Sequence, residues 1–265
     1  MITSRQNSSY KLLKSLRTRS GREKASLYLL EGVRLVEEAI ASGIPIRYAI
    51  YSDYLKRSQR GIDCLHALAN LGVVPQHISD RLLCELADTE RPQGILVATE
   101  LPSPAIASDE AFWAAGKLFL LIDGVQDPGN LGTILRTAEA FGVDRVVALK
   151  GTVDPYNSKV IRSAMGAIFR LPLLHNQTNE VILKRLKQHD IQIVATALGE
   201  SVPYHHAVYR SRVALVVGNE GAGVSSFWLD VAHLAVRIPI RPPAESLNVA
   251  VATGILLAQL AVSAS

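Results

Sequence analysis

Short apolar runs bounded by Gly, Pro, Asn or Asp recur along the chain. Between them lie stretches in which apolar residues return every three or four positions. The runs predict strands over residues 28–30, 46–51, 94–98, 118–122, 145–149, 191–196, 213–217 and 235–238, and the longer periods predict helices over 33–42, 64–70, 130–141 and 181–188. Strands alternating with helices in this way predict an α/β architecture with largely parallel strands. The rhythm breaks at Leu101-Pro-Ser-Pro-Ala-Ile-Ala-Ser108, where two prolines among small residues favour an extended linker. The chain is thereby divided into a domain over residues 1–100, a linker over 101–116 and a larger domain over 117–265. Residues 246–265 carry no charge and approach the length of a membrane span. Asn248, Thr253, Gly254 and Gln259 make that segment too polar for one, so it reads as a buried helix packed between protein elements or in a subunit interface.

Composition narrows the class. Of 265 residues, 48% are hydrophobic and 20% charged, the balance of a globular protein. The net charge of +4 is too small to name a partner, so its distribution matters. Arg5, Lys11, Lys14, Arg17, Arg19, Arg22 and Lys24 precede the first strand against a single acidic residue, Glu23. A helix would align Lys11, Lys14 and Arg17 along one side, as a phosphate-tracking surface or as a solvated helical face. Cys64 and Cys84 have neither a metal-ligand spacing nor a disulfide pattern, and their apolar neighbours predict buried free thiols. The first residues lack the apolar core of a signal peptide, and the chain reads as cytoplasmic.

Three blocks hold the candidate chemistry. In Asp123-Gly-Val-Gln-Asp-Pro-Gly-Asn130 a strand enters a glycine-containing turn, and Asn130 stands where a helix cap is expected. Arg136 projects opposite the apolar stripe formed by Leu131, Ile134, Leu135 and Ala138, toward solvent or a ligand. In Gly218-Asn-Glu-Gly-Ala-Gly223 a buried strand runs into a turn with one carboxylate, Glu220, which either orients a ligand or caps the next helix. The third block places Ser246 and Asn248 at the start of the uncharged helix. All of these would lie on loops at one edge of one sheet, where α/β proteins bind ligands. Phosphate-loop, dinucleotide-binding and nucleophile-elbow motifs are missing from the sequence. His205-His206 reads as a surface pair, and no metal site is expected.

These blocks, in this order and spacing, closely resemble the SpoU (TrmH-like) branch of the SPOUT RNA methyltransferases from about Lys117 onward. Residues 161–172 are similar to the same family, and Tyr28-Leu-Leu-Glu-Gly-Val-Arg34 more weakly resembles the small ribosomal-protein-like domain that many members carry in front. The resemblance implies a trefoil-knotted, mainly parallel α/β domain preceded by a small α/β RNA-binding domain, and a homodimer. It further implies S-adenosylmethionine held by loops around Thr196, Gly218, Ile238 and Leu247, and active-site roles for Asn130, Arg136, Glu220, Ser246 and Asn248. The reaction implied is methylation of a ribose 2′-hydroxyl in RNA, ribosomal rather than transfer RNA, with the basic residues Arg5, Lys11, Lys14, Arg17 and Arg22 on the substrate. The alternatives are a catalytically silent RNA- or ribosome-binding protein, a transfer RNA enzyme, or methylation of a base or small molecule. One departure stands out. Where the family has Ile-Pro-Met, a residue and then glycine, this chain has Ile238-Pro-Ile-Arg-Pro-Pro243, and Pro242 removes an amide donor from the expected cofactor loop.

Overall fold

The structure, a computed structural model, describes residues 1–102 and 110–263. Of the linker expected over residues 101–116, residues 103–109 lie outside them, and Glu110–Ala114 is helical rather than extended. In chain order the elements are α1 (Ser8–Ser15), α2 (Arg19–Ala25), β1 (Leu27–Glu31), α3 (Val33–Ala41), β2 (Ile46–Tyr51), α4 (Gln59–Asn70), β3 (Gln76–His77), α5 (Asp80–Leu86), β4 (Ile95–Glu100), α6 (Glu110–Ala114), β5 (Leu118–Asp123), α7 (Pro128–Ala140), β6 (Arg145–Leu149), α8 (Ser158–Ala164), β7 (Leu173–Gln177), α9 (Asn179–Gln188), β8 (Gln192–Thr196), β9 (Val202–Pro203), β10 (Val213–Gly218), α10 (Ser226–Val231), β11 (Leu234–Arg237) and α11 (Val249–Ser263). They form two compact units. The first comprises Met1–Pro102 and Tyr156–Phe169, and the second the described residues of Ser103–Pro155 and Arg170–Ser265.

The first unit has a four-stranded sheet in the order β1-β4-β2-β3. Both β1 and β2 run antiparallel to β4, and only β3 pairs in parallel. This sheet departs from the parallel expectation because β4 returns through the middle after α5, against the direction of both neighbours. Leu13, Leu16, Ile50, Ile78 and Leu82 form part of its buried core. The segment that returns to this unit sets Tyr156 against Tyr28, ring centroids 4.9 Å apart, and packs α8 on β1.

The second unit has seven parallel strands in the order β7-β6-β5-β10-β8-β11-β9. Covered on both faces, β10 is buried at every residue and β5 at all but Asp123, as expected of continuous apolar runs in a parallel sheet. Trp113, Phe119, Val147, Ile193, Val216 and Trp228 belong to one core, in which the Trp113 and Phe119 rings stack at 5.8 Å. From β5 the chain winds outward through β6 and β7, then reappears beyond β10 at β8. The order therefore reverses at the β5/β10 boundary, the kind of place at which α/β sheets bind ligands beyond the carboxyl ends of their strands. The uncharged α11 packs on α7 and β10, burying Leu256, Leu257 and Leu260 while Val251 and Val262 remain exposed. At 15 residues it spans about 22 Å, and no described helix is long and apolar enough to cross a membrane.

The thiols differ from each other: Cys64 is buried, its pKa raised to about 11 by burial, but Cys84 is exposed. In α5 the buried positions are Leu82, Leu83 and Leu86, which turns Cys84 to the opposite side of the helix.

Candidate active site at the carboxyl ends of the parallel strands

Register aligns the strand ends that carry the candidate residues. Asp123 pairs with Gly218 across β5 and β10, Val216 with Ala195 across β10 and β8, and Thr196 with Val236 across β8 and β11. The turns after β5, β8, β10 and β11 therefore leave the sheet at nearly one level. After β10 the chain folds tightly back, with Asn219 and Gly223 exchanging two backbone hydrogen bonds of 2.9 Å. A Cβ on Gly218 would lie 2.1 Å from the Gly223 carbonyl carbon, so only glycine permits this closure. Asn219 completes it by accepting from the amides of Gly221 and Ala222 and donating to the Gly124 carbonyl.

Glu220, at the tip of that turn, does not cap α10. Its carboxylate accepts from the amides of Gln126 (3.1 Å) and Asp127 (3.0 Å) and from Asn130 Nδ2 (3.0 Å). Partial burial works against its charge, but the Asn130 hydrogen bond and the two amides outweigh it and hold the carboxyl below the usual carboxylate range. Asn130 Oδ1 in turn accepts from Asn248 Nδ2 at 2.9 Å, and Asn248 Oδ1 takes the amides of Ala250 and Val251 at the start of α11. Glu220, Asn130 and Asn248 thus form one chain of hydrogen bonds tying the β10 turn to the first turns of α7 and α11.

The helix cap expected at Asn130 is instead Asp127, whose Oδ1 accepts the Asn130 amide at 2.8 Å, with Pro128 in the first turn. The Asp-Pro pair marks this start in the sequence, and moving the cap upstream leaves the Asn130 side chain free to bridge Glu220 and Asn248. Asp127→Ala is expected to lower stability by about 1 kcal/mol, read as a small fall in the midpoint of a denaturant titration with unchanged slope.

Arg136, two turns along α7, is exposed and makes no hydrogen bond or ion pair with any described residue. Ser246 and Leu247 are also exposed, and Ile238 is half-buried. Outside the strand ladders, no backbone hydrogen bond engages Ile238, Ile240, Ser246 or Leu247 among the described residues; Ala244 to Arg241 closes the one turn in this loop. Thr152, which no sequence motif singles out, braces the edge from the β6 side by accepting from the Gly124 amide and donating to the Ile122 carbonyl. No group of His, Cys, Asp and Glu suited to a metal occurs among the described residues, and His205 and His206 are exposed.

The five basic residues lie in the first unit. Lys11 and Lys14 are exposed on α1. Arg5 forms a bidentate pair with Glu85, which also accepts from Tyr10 and whose pKa is held down to about 2 chiefly by the Arg5 hydrogen bond. Arg17 pairs with Asp88 at 2.7 Å. Arg22 is buried, its Nη1 donating to the Leu16 carbonyl at the end of α1.

The chain is similar to known proteins in sequence and in fold. A family model described as the SpoU rRNA methylase family matches residues 117–258, and one described as an MRM3-like substrate binding domain matches residues 7–97. The chain is 36% identical over 262 residues, 98% of either chain, to the 23S rRNA (guanosine(2553)-2′-O)-methyltransferase RlmP of Bacillus subtilis. It is 34% identical over 215 residues to the 23S rRNA (guanosine-2′-O-)-methyltransferase RlmB of Escherichia coli, covering 76% of this chain and 84% of that one. The AdoMet-bound rRNA methyltransferase of Sinorhizobium meliloti superposes with a TM-score of 0.85 at 27% identity, covering 97% of this chain and 95% of that one. The SpoU methyltransferase AviRb of Streptomyces viridochromogenes, in complex with AdoMet, gives 0.87 at 25% identity, covering 97% and 98%.

Proposed function

The chain belongs to the SpoU rRNA methylase family, and from that premise we infer that it methylates a ribose 2′-hydroxyl of ribosomal RNA with S-adenosylmethionine as donor. The observation that carries the reading is the bonded set Glu220, Asn130 and Asn248 beyond the carboxyl ends of β5 and β10, with an exposed and unpartnered Arg136 further along the helix that carries Asn130.

The residues present fit the donor. Loops after three adjacent parallel strands end at one level, and the 238–247 segment offers backbone groups that no described loop contact uses. Exposed Leu198 and Leu247 add apolar surface suited to an adenine ring. Thr196, Gly218, Ile238 and Leu247 would hold it, largely through backbone. Pro242 supplies no amide, so neighbouring groups carry that contact. Bound there, S-adenosylmethionine supplies a methyl group already activated by its sulfonium.

The protein's part is to orient the ribose and ease its hydroxyl toward deprotonation. Arg136 contacts the target nucleotide's phosphate and its 2′-hydroxyl. Its guanidinium stays protonated, so it acts as a donor and the proton leaves through phosphate or water. Asn130 and Asn248 hold the ribose side of the site, Ser246 donates to the nucleotide, and Glu220 fixes the turn that presents them. Residues 1–100 form the RNA-binding domain, joined through 101–116 to the methyltransferase domain over 117–265. On α1, Lys11 and Lys14 meet phosphates directly. Arg5 and Arg17 join them by exchanging their carboxylate partners for phosphate, and Arg22 holds α1 and α2 together beneath. A trefoil knot in the catalytic domain, a homodimer and a cytoplasmic location complete the proposal. The exposed Val251 and Val262 of the uncharged, partly buried α11 support the dimer, and the free thiols Cys64 and Cys84 a reducing compartment.

Transfer of labelled methyl from S-adenosylmethionine to ribosomal RNA, followed by digestion to nucleosides, tests the function. Label in 2′-O-methylribose is the expected result. Label on a base would discard this mechanism, and cofactor binding without transfer to any RNA would favour a silent RNA-binding protein.

A further inference from the structure

In the first unit the turn after β2 presents an aromatic and cationic cluster that the proposed function leaves unused. Tyr54 is 47% exposed, with the Arg57 guanidinium 5.0 Å from its ring centroid. Beside it, Lys56 Nζ lies 4.9 Å from the Tyr51 centroid, and Tyr51 stacks on His77 at 5.1 Å with 18° between the planes. Lys56 and Arg57 are exposed. Both nearby carboxylates are engaged: Asp53 lies 3.1 Å from His77 Nε2 and 3.8 Å from Lys56, and Asp80 accepts the Tyr54 amide.

The turn is also anchored. Leu55, between the aromatic residue and the two cations, is 1% exposed. A Cβ on Gly61 would meet the Leu55 carbonyl oxygen at 2.1 Å, and one on Gly94, whose φ is +83°, would meet the Leu55 amide nitrogen at 2.6 Å. Two glycines therefore admit the Leu55 backbone, while Ser52 donates to the Gly94 carbonyl and Leu55 to Ser52. An exposed ring and two cations are held on a fixed turn before any ligand arrives, so little ordering entropy remains to be lost on binding.

We propose that Tyr54, with Lys56 and Arg57, forms a stacking platform for an unpaired nucleotide of the RNA substrate. Single-stranded and loop RNA is recognised by splayed bases stacking on aromatic rings beside cations that meet the backbone. A base lies on the face of the Tyr54 ring opposite Arg57, whose guanidinium backs the other face, and Lys56 meets the adjoining phosphate. The assignment rests on the RNA-methyltransferase reading for its substrate class, and it adds unpaired-base recognition to the phosphate contacts of α1.

The test is binding of a fluorescently labelled single-stranded oligoadenylate to the full-length protein, measured by anisotropy across a salt series. Tyr54→Ala is expected to weaken binding about tenfold and leave the slope of log K against log salt unchanged, and Tyr54→Phe to restore affinity. Lys56→Gln is expected to reduce the slope by about one unit. Tyr54→Leu keeps the apolar bulk without the π face, and is expected to bind as weakly as alanine at an unchanged melting temperature. Wild-type affinity in Tyr54→Ala or Tyr54→Leu would overturn the platform. Methyl transfer by the wild-type protein, measured in parallel, judges the enzymatic reading separately: its loss would strike that reading and leave the oligonucleotide result to decide the platform.

Discussion

Arg136→Ala is expected to lower methyl transfer to ribosomal RNA by about 10²- to 10⁴-fold, the range associated with losing a group that assists proton transfer. Stability should change by no more than about 0.5 kcal/mol, because an exposed side chain without a partner supports nothing else in the fold. Combining these two outcomes is what identifies a catalytic side chain. The opposite face of α7 buries Leu131, Ile134, Leu135 and Ala138, so the helix keeps its place when Arg136 is shortened. Cofactor affinity should also persist, since the site proposed for the donor lies on loops after β8, β10 and β11. Arg136→Lys retains charge but not the planar fork, and should recover only part of the rate. Single-turnover rates with saturating S-adenosylmethionine, beside melting curves, make the measurement. Full methylation by a folded Arg136→Ala protein would end the assignment.

The exposure of Arg136 was legible because its environment follows from helical period alone. Each of the eight expected strands is present, with ends shifted by at most two residues. Long apolar runs buried on both faces, such as 118–122 and 213–217, leave few other ways to be satisfied. The strands that escaped notice are β3 and β9, two residues each, and β7, whose Leu-Leu-His-Asn-Gln sequence turns polar halfway. Their pairing is set by neighbours distant in sequence, and two residues carry no period. Antiparallel pairing in the first sheet was hidden for a similar reason, since element order says nothing of the direction in which β4 returns.

At the candidate site, the sequence singled out residues whose partners it did not reveal. Asn130 and Glu220 each fit a local capping role, and local roles are what spacing can suggest. Their bonds cross 90 positions, from Asn130 to Glu220, and 118, from Asn130 to Asn248. Arg22 shows the same limit. It belongs to a run of basic residues, yet the end of α1 captures it under the surface through the Leu16 carbonyl.

Those crossings make Glu220 the second informative position. Glu220→Gln is expected to cut methyl transfer by about 10- to 100-fold, from the loss of charge-assisted hydrogen bonds worth about 1.5–3 kcal/mol. A carboxylate receives the amides of Gln126 and Asp127 and the amide group of Asn130 on acceptors alone. Glutamine replaces one oxygen with a donor, so a donor faces a donor wherever its NH₂ points. The start of α7 loosens, and Asn130 and Asn248 lose their alignment. The same charge predicts a pH signature. With its folded pKa below the usual carboxylate value, Glu220 contributes stability that is fully present above the unfolded value and is lost as pH falls through the lower folded one. The difference in stability between wild type and Glu220→Gln should therefore be flat through neutral pH and shrink only in acid, below the ordinary carboxylate range. A difference that instead changed near neutrality would mean that another group governs the turn. Equal activity of the two proteins at neutral pH would show that the hydrogen-bonded chain does not position the ribose.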